Sequence, residues 1–319
     1  MADREATAYT ELARDGPNAL ARGLGLLGDE WTLLILRAAI MGATRYGQFR
    51  AQLPISHAVL TSRLDLLVRE ELMERHVYQD NPVRAEYLLT ERGIGVWPVL
   101  VTIWDWERQW VPDHVGGSLP AMMHTDCEHE FRPLLCCDRC GKPAGPRDVR
   151  TEWGPSGSWA RSVPDSSTRR RSDSRGRTTA GFFPETMGVL GNRWSSAIVG
   201  AIFRGVHRYS ELLAALGAPP GMLAARLQSL CDHGVLETVA IQPHSSWVKY
   251  RLTDRGRALF PVIVSTLQWA QRWYRSPEGA SLTWTHGACD AAFIGVLMCD
   301  QCGERVHGST IELIDPGDG

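Results

Sequence analysis

Two short stretches of this 319-residue chain carry side chains suited to holding a soft metal ion. His124-x-x-Cys127 precedes Cys137-x-x-Cys140-Gly, and the same order returns as His286-x-x-Cys289 and Cys299-x-x-Cys302-Gly. Three thiolates and one imidazole suit tetrahedral zinc in a closed structural site. Nine residues lie between Cys127 and Cys137, few enough for the two halves to meet, so each stretch is expected to build its own four-ligand site. Gly141 and Gly303 allow the tight turn that a metal knuckle needs after its last cysteine. His129 could replace His124, but the residue matching it in the second stretch is Ala291; Cys136 could compete with Cys137, but its match is Met298. The plainer alternative, ordinary reduced thiols, is weakened by the repetition of all four residues. No open coordination position or general base is evident, so hydrolytic chemistry is not expected, and the clusters read as staples for small lobes that could not bury a core alone.

The elements that must position these clusters are duplicated as well. Leu-Gly-Asp-Glu-Trp at 27–31 returns as Leu-Gly-Asn-Arg-Trp at 190–194, a displacement of 163 that also relates Arg45-Tyr46 to Arg208-Tyr209, Arg63-Leu64 to Arg226-Leu227, Tyr87 to Tyr250, Gly93 to Gly256 and Trp110 to Trp273. The cysteine stretches follow with a displacement of 162. The chain is a tandem of one unit. Its expected parts are a helical domain at 18–112, a Cys/His lobe at 119–150, a flexible linker at 154–180, a second helical domain at 181–275 and a second lobe at 282–312.

Composition sets outer limits. With 44% apolar residues and 12 Trp, neither copy looks disordered, and the formal charge of -2 means that any nucleic-acid function must rest on local basic surfaces. Met1 to Glu11 is polar rather than signal-like, and no apolar run approaches the roughly 18 residues of a membrane span. A cytoplasmic protein with reduced thiols and no membrane association is expected.

Within the first copy, Ala19 to Met41 repeats apolar residues at helical spacing, as one helix or as two with a break near Gly28, and should bury Trp31. The second copy begins this element near Phe183 and should bury Trp194. Tyr46 to Leu53 is a short helix, Pro54-Ile55 a break, and Ser56 an N-cap for a third helix to about Arg69. Leu72 to Tyr78 and Ala85 to Leu89 alternate as strands around Asp80-Asn81-Pro82, and a closing helix is expected from Glu91 to Trp110. Helix, helix, recognition helix, two-stranded wing and closing helix make a winged helix-turn-helix, so the fold class is mainly α with small β wings. Residues 154–181, rich in Gly, Ser and Arg, read as a tether. Its ends would lie roughly 30 Å apart as a coil, comparable with the roughly 34 Å between two recognition helices on one DNA face.

The chain resembles the HxlR-type, MarR-like winged-helix transcriptional regulators. The resemblance rests on Leu-Gly-Asp-Glu-Trp-Thr-Leu-Leu-Ile-Leu-Arg at 27–37, Arg-Tyr-Gly-Gln-Phe at 45–49, Leu-Thr-Ser-Arg-Leu at 60–64, Pro-Val-Arg-Ala-Glu-Tyr-Leu-Leu-Thr-Glu-Arg-Gly at 82–93 and Trp-Pro-Val-Leu at 97–100. Tyr-Arg-Leu-Thr-Asp-Arg-Gly at 250–256 keeps the frame in the second copy. It implies dimerisation through the first and last helices, with the third helix in the major groove and the wing alongside. Some members sense oxidants with a cysteine at the start of the first helix; here Asn18 and Gly181 stand there, which argues against that route.

If the third helix reads DNA, the candidates are Ser56, His57, Thr61, Ser62 and Arg63, with Arg75 and Arg84 on the wing and Arg45 as a phosphate clamp. Arg63 and Arg226, retained in both copies between apolar residues, could instead brace the domain against an acid. The second copy offers Arg208, Arg226 and Lys249, and a wing with His244, Ser245, Ser246 and Trp247, but its recognition helix opens on Pro219-Pro220-Gly221 and its base-edge chemistry is thin. Trp104, Trp106 and Trp110, with Leu267, Trp269 and Trp273 opposite them in the repeat, are expected to pack the copies or two chains together, or to line an effector pocket. The function expected is that of a non-enzymatic regulator of promoter DNA, acting as an intrachain pseudo-dimer or a homodimer, with a small-molecule effector possible. The alternative is a protein-interaction or small-molecule-sensing module that has lost DNA reading.

Overall fold

The computed structural model describes residues 9–111, 119–164, 183–241 and 247–314. Most of the expected linker, residues 165–180, lies outside them, as do Gly181 and the wing residues His244, Ser245 and Ser246.

The first copy begins with helices α1 (Ala19–Leu27) and α2 (Glu30–Ile40), broken at Gly28. Asn18 caps α1 and Asp29 caps α2, each accepting backbone amides with its side chain. Helices α3 (Tyr46–Gln52) and α4 (His57–Arg69) form the helix-turn-helix, and Leu60, Leu64 and Leu67 on α4 are buried against it. Strands β2 (Met73–Asp80) and β3 (Val83–Leu89) pair antiparallel as the wing.

The closing element is divided, unlike the single helix expected. A short α5 (Glu91–Ile94) stops before α6 (Trp97–Trp110), because Pro98 lacks the amide that a continuous helix would direct to Ile94. Thr90 caps α5 at Gly93 N and also donates to the Glu71 carbonyl. A Cβ on Gly93 would sit 2.1 Å from the Leu72 carbonyl oxygen, and one on Gly256 would sit 2.2 Å from that of Val235. The repeated Thr-x-x-Gly therefore marks where this helix start crosses the wing.

Helices α8 (Pro184–Leu190), α9 (Arg193–Phe203), α10 (Tyr209–Leu216) and α11 (Pro220–Asp232) repeat α1–α4. Strands β8 (Leu236–Ala240) and β9 (Val248–Leu252) then precede α12 (Asp254–Arg257) and α13 (Phe260–Trp273). Trp194 is buried, but Trp31 is only half-buried. The Arg193 guanidinium covers the Trp194 ring from 4.6 Å, and the corresponding residue before Trp31 is Glu30, which cannot stack as a cation.

The two copies pack as one unit through their first and last helices, α1 against α13 and α6 against α8 and α13. The tryptophan stripe serves this contact: Trp106 Nε1 donates to the Arg255 carbonyl at 3.1 Å, and its repeat Trp269 donates to the Arg92 carbonyl at 3.0 Å. Arg92 is buried, meets Glu71 at 3.0 Å and lies over the rings of Trp273 and Tyr274. The polar N-terminal stretch also joins the interface, since β1 (Thr10–Glu11) runs parallel to β10 (Tyr274–Arg275).

The first eleven residues of the expected linker are packed rather than free. Strand β7 (Val149–Trp153) leads into α7 (Trp159–Ser162), and Asn18 Nδ2 donates to the Ser156 carbonyl and Ser162 Oγ. Trp153 and Trp159 meet edge to face at 4.9 Å. Trp159 and the buried Ser156 and Ser162 lie inside a stretch whose Gly and Pro content reads as a tether.

The cysteine regions contain β4 (Ala121–His124), β5 (His129–Glu130), β6 (Pro133–Cys137) and β7 in the first copy, with β11 (Leu282–His286), β12 (Gly295–Cys299) and β13 (Ile311–Ile314) in the second. They are not two separate lobes. Strand β6 pairs antiparallel with β12 about Leu135 and Leu297, while β4 pairs with β13 and β7 with β11.

Candidate metal centres and nucleic-acid interface

Because β6 and β12 run antiparallel, Cys299 at the end of β12 lies opposite Pro133 at the start of β6. This register carries each Cys-x-x-Cys pair to the other copy's His-x-x-Cys turn. His124 and Cys127 gather with Cys299 and Cys302, while Cys137 and Cys140 gather with His286 and Cys289; in each group the ligand atoms lie within 4.8 Å of one another. The expectation of one site per copy, from His124, Cys127, Cys137 and Cys140 or from His286, Cys289, Cys299 and Cys302, is corrected. The residues are the ones the sequence marks, but their partners come through strand exchange, which sequence spacing does not encode.

The geometry fits a tetrahedral cation. Cys127 Sγ lies 3.4 Å from His124 Nδ1 and 3.9 Å from Cys299 Sγ, and Cys302 Sγ lies 3.4 Å from His124 Nδ1. The other cluster matches, with Cys140 and Cys289 at 3.3 and 3.4 Å from His286 Nδ1 and Cys137 at 3.9 Å from Cys289. Zinc with its usual bond lengths gives edges of about 3.5 Å for S–N and about 3.8 Å for S–S. Gly141 and Gly303 adopt φ of 69° and 74° as the knuckles require, and Glu128 and Asp290, one residue after the cysteine of each His-x-x-Cys turn, share φ of 56°.

Phe131 and Phe293 cover the two fully buried imidazoles. His124 Nε2 lies 3.5 Å from Asp126; among the described residues the buried His286 Nε2 has no partner. Desolvation pushes the Cys299 thiol up to about 11, whereas the Glu304 backbone amide lowers Cys302. A cation binding both as thiolates would reverse the first effect. His129 is exposed and outside both clusters, and Cys136 is buried and likewise outside.

The second site lies on α4 and the wing. Ser56 caps α4, and His57, Thr61 and Ser62 are exposed on its outer face. Tyr46 on α3 stacks on the His57 ring and comes within 3.0 Å of its Nδ1. Arg75 and Arg84 are exposed on the wing. Helix α11 is barer: Gly221, Met222, Ala224, Ala225 and Gln228 are its exposed residues beyond the opening Pro220 and the terminal Asp232.

The arginines present in both copies have different partners in each, in a way that the 163-residue displacement already encodes. Arg63 forms a two-point pair with Asp29, at 2.7 and 3.0 Å, and thus takes the bracing role. In the second copy Asn192 replaces Asp29 and only caps α9, leaving Arg226 Nε buried with no partner among the described residues. Arg45 is paired with Glu86 at 2.9 Å and lies over Tyr78. Lys249 replaces Glu86 in the second copy, where an isolated bridge joins it to Arg208, whose acid, Glu211, is 3.8 Å away. Both signals, Asp against Asn and Glu against Lys, were readable once the repeat was aligned.

These pairings predict unequal effects on stability. Arg63→Ala strands Asp29, whose side chain is 9% exposed, and is expected to cost about 2–4 kcal/mol. Arg226→Ala removes no ion pair among the described residues and should cost under about 1 kcal/mol. Urea unfolding of the two variants checks the difference, and equal losses would contradict it.

Known proteins similar to this chain agree with the fold. It is 39% identical over 137 residues to an HTH-type transcriptional regulator of Mycobacterium tuberculosis (strain H37Rv), covering 43% of this chain and 86% of that one. It is 34% identical over 85 residues to the HTH-type transcriptional regulator YodB of Bacillus subtilis, covering 26% and 76%. A solved Pseudomonas aeruginosa structure, of a candidate transcription factor, is 29% identical over 37% of this chain and 80% of that one, but its TM-score of 0.30 is too low to bear on how the copies are arranged. The HxlR-like helix-turn-helix family matches residues 26–115 and again 189–278, more than half of the chain. With two such domains paired through their first and last helices, this chain belongs to the HxlR-like helix-turn-helix family.

Proposed function

We propose that the chain is a DNA-binding transcriptional regulator in which two fused winged-helix domains form, within one chain, the counterpart of a dimer, stapled by two structural zinc ions. The observation that carries the DNA reading is the exposed face of α4, with His57, Thr61 and Ser62 beside a wing bearing Arg75 and Arg84. Phosphate contacts would fix the register and α4 would read base edges. Arg208 and Lys249 form a clamp whose charge is less neutralised than that of Arg45, so the second copy contributes mainly to backbone binding. Zinc is supported by the donor set and by the cluster dimensions.

The test is salt-dependent binding of the whole protein to the promoter DNA of its own gene. Lys249→Glu is expected to weaken binding about tenfold at all sequences and to lower the salt slope by about 1 or more. Thr61→Ala with Ser62→Ala should instead reduce discrimination between target and unrelated DNA. Salt-insensitive or absent binding would contradict the proposal.

The exposed Met222, Ala224 and Ala225 on α11 favour a second reading for that copy alone, contact with another protein. A Met222→Glu variant with unchanged DNA binding and loss of a partner would support it.

A further inference from the structure

A cavity of about 380 Å³ lies between the last turn of α9, helix α13 and strand β11 of the second copy and strand β7 of the first. The repeat supplies its control. The corresponding space in the first copy, among α2, α6, β4 and β13, is only about 90 Å³.

Two of the exchanges between the linings remove bulk from the second space. Gly200 stands where the first copy has Arg37, and Leu267 stands where it has Trp104. In the first copy the Arg37 guanidinium lies 4.7 Å from the Trp104 ring centroid, so the protein fills its own site with a stacked cation and indole. In the second copy both groups are absent, and a Cβ on Gly200 would meet nothing within 4 Å.

A cation returns from a different position. Arg204, which replaces Met41, lines the cavity and lies 4.2 Å from the Trp153 ring centroid, with Nη1 donating to the Thr151 carbonyl at 3.2 Å. Burial lowers the basicity of its guanidinium despite the opposing charge of Glu152. A partly desolvated guanidinium beside an apolar, aromatic space favours a charge-assisted bond to an anion whose remaining surface is apolar. The volume is that of a small-ligand pocket.

We propose that this cavity binds a small aromatic carboxylate, its rings filling the space that Gly200 and Leu267 leave open and its carboxylate meeting Arg204. The inference rests on the cavity and not on DNA binding, so the two stand or fall separately.

The experiment titrates 2-naphthoate, and the neutral 2-naphthalenemethanol, into the full-length protein by calorimetry. Saturable binding of one naphthoate per chain is expected. Arg204→Met, which installs the first copy's residue, should weaken naphthoate at least tenfold while changing the neutral probe less than threefold. Gly200→Leu, placed where a side chain meets open space, should weaken both probes at least tenfold, and Leu267→Trp should do the same. Thermal unfolding of each variant identifies any that misfolds, and the remaining filler then decides. Absence of saturation at millimolar naphthoate, equal affinity in Arg204→Met, or undiminished binding in a folded filler variant would overturn the proposal.

Discussion

Cys299→Ala is expected to empty the metal site of His124, Cys127 and Cys302, leaving the site of Cys137, Cys140, His286 and Cys289 occupied. Metal analysis should fall from two ions per chain to one, and thiol labelling should then modify Cys127 and Cys302 while sparing Cys137, Cys140 and Cys289. Were each copy to build its own site, the same substitution would expose Cys289 and Cys302 and spare Cys127. The pattern of labelled cysteines therefore reports the exchange of strands directly. Loss of a structural metal is among the few single changes that cost more than about 4 kcal/mol, and here it would also release the β4–β13 pairing beside His124.

Thr186→Val is expected to destabilise the contact between the copies by about 2–3 kcal/mol. Glu107, fully buried on α6, accepts from Thr186 N at 2.8 Å and from Thr186 Oγ1 at 2.6 Å. The repeat places Gly23 and Ala270 at the corresponding point of the other half-interface. A Cβ on Gly23 would sit 2.4 Å from the Ala270 Cβ, so that half is close-packed and the first is hydrogen-bonded.

The two halves are complementary only in this combination. Pairing two first copies would set Glu107 against Gly23, which has no hydroxyl to offer, and pairing two second copies would put Thr186 where a bare glycine is needed. This asymmetry supports intrachain pairing over a homodimer. Replacing both residues, Glu107→Ala with Thr186→Gly, copies the close-packed half and should recover most of the stability that Thr186→Val loses. Thermal or urea unfolding of Thr186→Val, the double variant and the single variants Glu107→Ala and Thr186→Gly checks this, and additive losses in the double variant would contradict it.

The winged-helix elements were legible because each carries a local signature. The expected N-cap Ser56 stands where the structure uses it, and the apolar spacing of α4 is the spacing of its buried leucines. The eight metal-binding candidates were legible by type and repetition. Their grouping was not, because it follows from the antiparallel register of β6 and β12, strands far apart in the chain. The packed start of the linker escaped for a similar reason: Trp153, Trp159 and Ser156 are held by partners from α1, β11 and the turn before it. Asp29, Glu86, Glu107 and Gly200 drew no notice singly, and gain meaning when each is set against Asn192, Lys249, Ala270 and Arg37 in the repeat.

The strand exchange and the helix contacts make the two copies one interlocked unit. A specific protease site inserted within residues 165–180, cleaved in the folded protein and followed by size-exclusion chromatography with metal analysis, tests this most directly. The two fragments should co-elute near the 35.4 kDa of the intact chain, with two zinc ions per pair, and separate only when a chelator removes the metal and denaturant opens the helix contact. Fragments that part without either treatment, each carrying its own zinc ion, would contradict the account.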